Sequence, residues 1–403
     1  MLQTWRWFGP VDPITVDDML QVGVEGVVTA LYHLTPGTVW TIAEIEKRQS
    51  AIATRRDGAP SGLLWDVVES LPVSEAIKTQ TGDYKNHIEN YRQSMRNLAA
   101  CGLQTICYNF MPILDWTRTD LRAPMPHGGT AMRFDLLEFA TFDLFILERA
   151  GAAEDYPADF VDRARQLFAT MDDEQKTALQ NNIVAGLPGA NDNWTLEDIR
   201  SLLKTYQGIS ADQLRKHLMD FLAEVVPLAE ELGLRLCCHP DDPPFPLMGL
   251  PRIMSTEADY AHVMKTVASP ANGITFCTGS LGVAEDFDGS GFVERLGSHI
   301  HFVHLRNTMR TEPRVPGRSS FFEAAHLEGN TDMVSVVKAL MREQQNRKAA
   351  GRADWQIPMR PDHGQEILHD IAAGGMPGYP LLGRMRGLAE LRGIMAACAT
   401  PEK

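Results

Sequence analysis

The chain alternates short apolar runs with longer segments in which apolar residues recur at helical spacing. Between the runs, residues 211–232 have helical periodicity and stop at Gly233, a residue typical of a helix end. Strands that alternate with helices indicate a parallel sheet, and eight strands predict a closed (β/α)₈ TIM barrel, an α/β fold. The eight runs, rich in β-branched and aromatic residues, span 4–9, 26–33, 63–70, 103–110, 234–240, 274–279, 300–306 and 355–361.

One connection is too long for a simple strand–helix unit. About 120 residues separate the fourth and fifth predicted strands, where 2 to 6 loop residues around a helix are usual. Residues 115–205 contain stretches of helical period, such as LLEFATFDLFILERAG, and then the predicted loop LPGANDNW. We therefore expect one barrel domain over 1–403, with a helical insertion at 115–205 that covers the active-site face. A separate helical domain is the alternative interpretation.

Composition narrows the class of protein. With 44% hydrophobic and 22% charged residues, the 403-residue chain has an ordinary globular composition. Its net charge of −14 argues against a nucleic-acid or anionic-membrane binder. The start, MLQTWRWFGP, lacks a signal-peptide pattern, and no run approaches the ~20 apolar residues of a membrane span. We expect a cytoplasmic protein whose six cysteines are reduced.

The ends of the last four predicted strands carry residues that bind metals. In barrel enzymes the reactive groups lie at the C-terminal ends of the strands, and here these ends hold His239, Cys277, His304 and Asp362. Nitrogen, sulfur and oxygen ligands together favour Fe²⁺, Mn²⁺, Co²⁺ or Zn²⁺ over magnesium or calcium. Each residue alone has a structural explanation, as a core cysteine, a core histidine or a helix cap. Four of them at four consecutive strand ends predict a metal site.

Strand alternation separates the neighbouring cysteines and leaves two aspartates undecided. If His239 faces the barrel mouth, Cys238 faces outward and Cys237 points into the barrel one layer deeper, so both are predicted core residues. Asp241 and Asp242 either orient the ligand imidazoles or are solvated. The sequence does not decide between these two options.

Several long motifs along the chain together resemble one enzyme family. The resemblance is to mannonate dehydratases of hexuronate (glucuronate) catabolism, and it runs from the first strand to about residue 395. It implies a xylose-isomerase-like barrel and dehydration of D-mannonate to 2-keto-3-deoxy-D-gluconate. It also implies one Fe²⁺ or Mn²⁺ per subunit and a homodimer or higher homo-oligomer. The motifs are RWFGP, GVVTALYH, YNFMPILDWTRTDL, HPDDPP, GLPRI, CTGS, HLRNTMR, EAAHLEG, MRPDHG and PGY.

The resemblance places the metal ligands on the same four residues, His239, Cys277, His304 and Asp362. It also implies that His363 and Tyr379 transfer protons, although which is the acid and which the base stays open.

The reaction needs further groups beyond the metal ligands and the proton-transfer pair. Arg306 and Arg360 lie close to ligands in sequence and are candidates to hold the substrate carboxylate, or else structural ion-pair partners. His326 and His33 are weaker candidates for the site.

Three other functions remain as alternatives. A metal-dependent sugar isomerase on the same fold also passes through an enediol, but it needs no acid for a departing hydroxyl. A barrel phosphoester hydrolase would favour a cluster of two or three metals, and the sequence contains one coherent ligand set. A non-enzymatic binding protein has no use for a thiolate-bearing open metal site.

Overall fold

Eight parallel strands form a closed barrel in the computed structural model, which describes residues 1–185 and 194–399. Going round the barrel, the order is β1-β2-β3-β4-β7-β8-β9-β12, and β12 pairs with β1. The predicted (β/α)₈ barrel is therefore confirmed. Its strands are β1 (Leu2–Arg6), β2 (Gly26–Thr29), β3 (Trp65–Glu69), β4 (Thr105–Tyr108), β7 (Arg235–Cys238), β8 (Asn272–Cys277), β9 (Ile300–His304) and β12 (Pro358–Arg360).

Helices surround the barrel, and several begin at side-chain caps. Ser210 accepts a hydrogen bond from the Gln213 amide at the start of the longest described helix. The α-helices span Val16–Val22, Ile42–Ala53, Glu75–Thr79, Tyr84–Ala100, Leu136–Thr141, Ala158–Thr170, Asp173–Val184, Leu196–Thr205, Ala211–Glu231, Glu257–Thr266, Thr278–Leu281, Gly289–Leu296, Met333–Ala349, His369–Ala373 and Leu381–Cys398. A π-helix spans Phe142–Ile146, and short 3₁₀ helices span Ala152–Asp155 and Gly297–His299.

The barrel interior is filled by a small apolar layer that includes Cys237 and Phe302. Cys238 instead belongs to the larger core between strands and helices. The prediction from strand alternation is correct for both cysteines. Phe302 lies two residues before His304 and packs edge-on against its ring, 4.7 Å between centroids. This layer therefore forms the floor beneath the predicted metal ligands.

A second sheet lies outside the barrel and joins two insertions. The segment 115–205 is not helical throughout, because it begins with the strands β5 (Asp120–Pro124) and β6 (Thr130–Phe134). These join a second hairpin between β9 and β12, formed by β10 (Asn307–Val315) and β11 (Arg318–Ala324), in the order β10-β11-β6-β5. None of these four strands was predicted from the sequence.

After β6, the described part of the segment 115–205 consists mainly of helices. The predicted loop LPGANDNW lies outside the described residues, except for Trp194. Across the described part of the chain, the helices are too short or too polar to cross a bilayer.

Candidate active site

The four predicted metal ligands lie together at the C-terminal ends of their strands. The ligand atoms of His239, Cys277 and His304 are all within 4.8 Å of one another. The Oδ2 atom of Asp362 lies 3.8 Å from both Cys277 Sγ and His304 Nδ1. All four are buried or nearly so. Nitrogen, sulfur and carboxylate donors from four strands therefore converge on one point.

The Nε2 atom of His239 and the Nδ1 atom of His304 face each other at a distance of 3.2 Å. The Nδ1 atom of His239 lies 2.7 Å from the Pro240 carbonyl, which can only accept, so Nδ1 carries the proton and Nε2 a lone pair. Burial lowers the pKa of His239, which keeps the ring neutral. On its far side, His304 Nε2 lies 3.4 Å from the Glu69 carboxylate, which favours a proton on that nitrogen.

Two unprotonated nitrogens therefore face each other beside a cysteine and a carboxylate. Lone pairs at this distance repel unless a cation lies between them. The donor set fits a divalent transition metal for this reason. The Cys277 sulfur accepts hydrogen bonds from the Ser280 amide at 3.5 Å and from its hydroxyl at 3.3 Å.

Asp362 follows the last barrel strand in a left-handed conformation, with φ of 64°. The strand ends at Arg360, before Pro361, so Asp362 and His363 need not alternate and both line the pocket. Burial alone would raise the pKa of Asp362, but Arg360, His363 and Arg306 lower it well below its ordinary value. The carboxylate is therefore held ionised, as a ligand must be.

His363 and Tyr379, the predicted proton-transfer pair, are in direct contact. His363 Nε2 lies 3.1 Å from the Tyr379 hydroxyl, and both residues line the same pocket as His239 and Asp362. Trp116, from the start of the first insertion, packs edge-on against the His363 ring at 6.2 Å. Burial lowers the pKa of His363 and raises the pKa of Tyr379, so both groups are held neutral.

Arg306 is held by buried partners that the sequence did not reveal. Its Nη1 donates to Glu323 at 3.1 Å and to His363 Nδ1 at 2.9 Å. Its Nη2 donates to Asp242 at 2.6 Å and to the Ser280 hydroxyl at 2.9 Å. Both terminal nitrogens, with two hydrogens each, are fully used. These contacts are ion pairs of the kind given as the alternative for Arg306, which also lines the pocket.

Arg360 is also bound on all three nitrogens. Its Nε and Nη2 donate to the two oxygens of Glu69 at 2.9 and 2.6 Å, and its Nη1 donates to Asp362. Glu69 in turn accepts from Arg6 at 3.2 Å. Burial would raise the pKa of Glu69, but Arg360, His304 and Arg6 lower it well below its ordinary value.

Arg6 and Glu69 are pocket residues that the sequence analysis missed. They are the last residues of β1 and β3. The rule that identified the metal ligands, a polar residue at a strand end, would have found them with the correct strand bounds. The predicted strands 4–9 and 63–70 ran three residues and one residue too far, and this placed Arg6 and Glu69 inside them.

Comparison with known proteins identifies the family. The family model described as D-mannonate dehydratase (UxuA) matches residues 1–403. The chain belongs to the D-mannonate dehydratase family. It is 57% identical over 394 residues to mannonate dehydratase 1 of Agrobacterium fabrum, covering 98% of this chain and 96% of that protein. It is 53% identical over 397 residues to the mannonate dehydratase of Rhizobium meliloti, covering 98% and 97%.

A crystal structure shares the fold. Mannonate dehydratase from Streptococcus suis serotype 2 superposes with a TM-score of 0.74 at 30% identity, covering 99% of this chain and 93% of that one. The family resemblance read from the motifs is thus confirmed.

The two aspartates that the sequence left undecided, Asp241 and Asp242, are both buried and have different partners. Asp242 is buried and binds Arg118 and Arg306, so it is not solvated, yet it contacts no ligand imidazole. Asp241 accepts from the Met254 amide and the Ser255 hydroxyl and fixes its own loop.

Neither of the two weaker histidine candidates lines the pocket. His326 Nε2 lies 2.7 Å from the Pro361 carbonyl, so it supports the turn that carries Asp362. His33 is exposed and pairs with Glu44 at 2.8 Å.

Proposed function

We propose that the chain removes water from D-mannonate to give 2-keto-3-deoxy-D-gluconate, with one divalent metal ion bound by His239, Cys277, His304 and Asp362. The observation that carries this proposal is the convergence of those four donor atoms at four strand ends, in a member of the D-mannonate dehydratase family. Fe²⁺ or Mn²⁺ is the proposed ion, since a mixed nitrogen, sulfur and oxygen set suits transition metals better than Mg²⁺.

When bound, such an ion acts as a Lewis acid for the negative charge that develops beside the substrate carboxylate. The protein residues then have two protons to move. The C2–H bond breaks and gives up its proton, and the C3–O bond breaks with its electron pair, so the departing hydroxide takes a proton and leaves as water. The resulting enol becomes the 2-keto-3-deoxy acid. His363 and Tyr379, 3.1 Å apart in the pocket, are the groups proposed for these transfers.

The charges around the pocket support an additional cation together with an anionic substrate. Four carboxylates are balanced by four arginines, so these eight groups sum to zero. Asp115, which also lines the pocket, pairs with Lys78 at 3.4 Å. A divalent ion adds two positive charges, which the Cys277 thiolate and one substrate carboxylate offset. The carboxylates are Glu69, Asp242, Glu323 and Asp362, and the arginines are Arg6, Arg118, Arg306 and Arg360.

The first insertion is proposed to cover the active-site face. Trp116 packs against His363, and Arg118 crosses to Asp242 at 2.8 Å and to Glu323 at 2.6 Å. These contacts close the pocket on the side of the insertion and limit the access of water to the reacting carbons. Arg360 remains a proposed substrate contact, because its two terminal nitrogens each have one hydrogen without a partner among the described residues.

Three further properties belong to the proposal. The six cysteines are unpaired, which is consistent with a reducing cytoplasm. The chain is proposed to act in hexuronate breakdown, and to assemble as a homodimer or larger homo-oligomer. Light scattering on the purified protein measures the last property directly, and a mass of one chain would contradict it.

The decisive experiment is product identification. Anaerobically prepared protein loaded with Fe²⁺, Mn²⁺ or Zn²⁺ is incubated with D-mannonate, and the product is identified by NMR. The proposal expects a 2-keto-3-deoxy acid in which one solvent hydrogen has entered C3. Absence of that product from mannonate, with aldose–ketose interconversion in a parallel incubation with the aldose D-mannose, would favour the sugar isomerase and overturn the proposal.

A further inference from the structure

We propose that Arg6 anchors the substrate carboxylate and at the same time positions the Tyr379 phenol that takes part in proton transfer. This inference rests on the proposed dehydratase function and assigns a role that the sequence did not suggest. It follows from counting the hydrogen-bond donors of the three arginines that line the pocket, Arg6, Arg306 and Arg360.

The two terminal nitrogens of Arg306 cannot bind a further anion without losing a protein partner. Its four terminal hydrogens are used by Glu323, His363, Asp242 and Ser280. Arg360 has partners on all three nitrogens and lies between the carboxylates of Glu69 and Asp362. Arg306 Nε has no hydrogen-bond partner among the described residues, but it is buried and lies 3.3 Å from the Asp362 carboxylate. Neither guanidinium therefore offers a terminal nitrogen that is wholly free.

Arg6 does offer one. Its Nε donates to the Tyr32 hydroxyl at 3.3 Å, and the two hydrogens of Nη1 are used by Glu69 and Tyr379, both at 3.2 Å. Its Nη2 has no hydrogen-bond partner among residues 1–185 and 194–399. This nitrogen is also not one of the fully buried atoms, so a ligand in the pocket can reach it. A guanidinium with two free hydrogens in a sugar-acid pocket is suited to a carboxylate.

The position of Arg6 is fixed before any ligand arrives. Its guanidinium carbon lies 5.2 Å from the Phe8 ring centroid, 5.8 Å from that of Tyr32 and 5.4 Å from that of Tyr379. The Arg6 carbonyl accepts from the buried Arg384 at 2.9 Å. Aromatic rings around a cation hold it in place without neutralising its charge, so little ordering is left to do on binding.

The Tyr379 oxygen receives two donors. Because Arg306 can only donate, its 2.9 Å contact requires a lone pair on His363 Nδ1. The neutral His363 ring therefore carries its proton on Nε2, which points to the Tyr379 oxygen at 3.1 Å. Arg6 Nη1 donates to the same oxygen. The phenol hydrogen is then left to face a ligand, and a phenolate formed by its transfer would be stabilised from two sides.

One guanidinium thus links the substrate anchor to the proton-transfer group. Nη2 would hold the carboxylate on C1 of the sugar acid, while Nη1 fixes the phenol that acts on the neighbouring carbons. Loss of Arg6 should therefore raise KM and lower kcat together, a combination that loss of a purely structural arginine would not produce.

The test compares Arg6→Met and Arg6→Lys with a matched control, Arg48→Met. Arg48 is also buried, lies over the Trp7 and Tyr32 rings, and donates to the Thr29 hydroxyl outside the pocket. We expect Arg6→Met to lower kcat/KM by about 1,000-fold, with a higher KM and a lower kcat, at unchanged metal content. Added methylguanidinium should restore part of the activity, and Arg6→Lys should lie between the two. Arg48→Met should stay within about threefold of the wild type.

A binding measurement separates this inference from the proposed function. In a Tyr379→Phe background, which is expected to turn over slowly, calorimetry compares D-mannonate with uncharged D-mannitol. The preference for mannonate should fall at least about tenfold when Arg6→Met is added, and should survive Arg48→Met.

The outcomes are distinct. Dehydration of mannonate by the wild type together with an unchanged KM, kcat and carboxylate preference in Arg6→Met would overturn the inference alone. The same would follow from equal losses in Arg6→Met and Arg48→Met. A wild-type protein that neither binds nor dehydrates mannonate would overturn the proposed function. If Arg6→Met fails to fold, Arg6→Lys with a wild-type KM and kcat would also overturn the inference.

Discussion

The two halves of the barrel contribute different kinds of groups to one pocket. Strands β8 and β9 end in Cys277 and His304, and His239 and Asp362 follow the ends of β7 and β12 within two residues. These four residues can donate electron pairs to a metal ion. Strands β1 and β3 end in Arg6 and Glu69, which are committed to ion pairs. The two insertions add further charged residues on the same side, Arg118 and Glu323.

The pocket residues thus fall into two groups: those that can donate an electron pair to a metal ion, and charged residues that fix their positions. A metal ligand has to present a lone pair that no other donor occupies, whereas the charged residues around the ligands use most of the hydrogen bonds that they can make. Arg6 is the exception in the charged half, since one of its nitrogens has no partner among the described residues. Substitutions of the proton-transfer groups should therefore lower activity, whereas substitutions of the surrounding charged residues should lower stability or metal affinity.

The largest expected effect is on proton transfer. Tyr379→Phe removes the phenol that contacts His363 and Arg6, and it should lower kcat by about 100- to 10,000-fold at unchanged metal content. Steady-state kinetics and elemental analysis measure the two quantities. Tyr260→Phe is the control, because that buried hydroxyl donates to the Cys238 carbonyl at 3.1 Å, away from the pocket. Similar kcat values for both variants would remove Tyr379 from the mechanism.

The next effect concerns the insertions. Arg118 is fully buried and holds Asp242 and Glu323, so Arg118→Met leaves two buried carboxylates short of a partner. The free energy of unfolding should fall by about 3–5 kcal/mol, measured by urea denaturation. Arg165→Met removes an exposed pair with Asp162 and should cost less than about 1 kcal/mol. Equal losses would show that the buried network does not tie the insertions to the barrel.

A smaller effect tests how the charged half supports the metal ligands. Glu69 lies 3.4 Å from His304 Nε2, the nitrogen that faces away from the other ligands. Glu69→Gln should weaken metal binding by about 10- to 100-fold in competition with a chelator. Asp66→Asn changes a carboxylate on the same strand that accepts from the Val27 amide instead, and it should leave the affinity unchanged. The supporting role would be contradicted if the two variants bound metal equally well.

The smallest effect appears on acidification. Burial alone would raise the pKa of Glu323, but Arg306 and Arg118 lower it below its ordinary value. A depressed native pKa adds stability above the unfolded pKa of about 4.3, and that stability is lost as pH falls toward the native value. The wild type should therefore lose stability through this group as the pH falls from about 5 toward its native pKa. Denaturation at several pH values should show a shallower slope in Glu323→Gln, but not in the exposed Glu231→Gln.

The candidate metal ligands of the site were predicted from the sequence, whereas most of its ion-paired residues were not. Ligands at strand ends follow from local patterns, because a short apolar run and the residue after it are adjacent in the chain. Ion pairs join distant segments: Arg118 to Glu323 spans 205 residues, and Arg360 to Glu69 spans 291. The same reason explains the missed sheet, where β6 pairs with β11 across nearly half the chain. The buried partners of Arg306, Glu323 and Asp242, could not be read from the sequence for the same reason.

The most direct test of the central claim, a metal centre built from four strand ends, is the metal content of two cysteine variants. Cys277→Ala removes the sulfur that lies among the ligand atoms, whereas Cys238→Ala removes a buried sulfur on the adjacent strand that faces the outer core. The proteins are loaded anaerobically with Fe²⁺ or Mn²⁺, desalted and measured by elemental analysis. We expect about one ion per chain in the wild type and in Cys238→Ala, and a loss of affinity above about 100-fold in Cys277→Ala. Full metal content in Cys277→Ala would contradict the account.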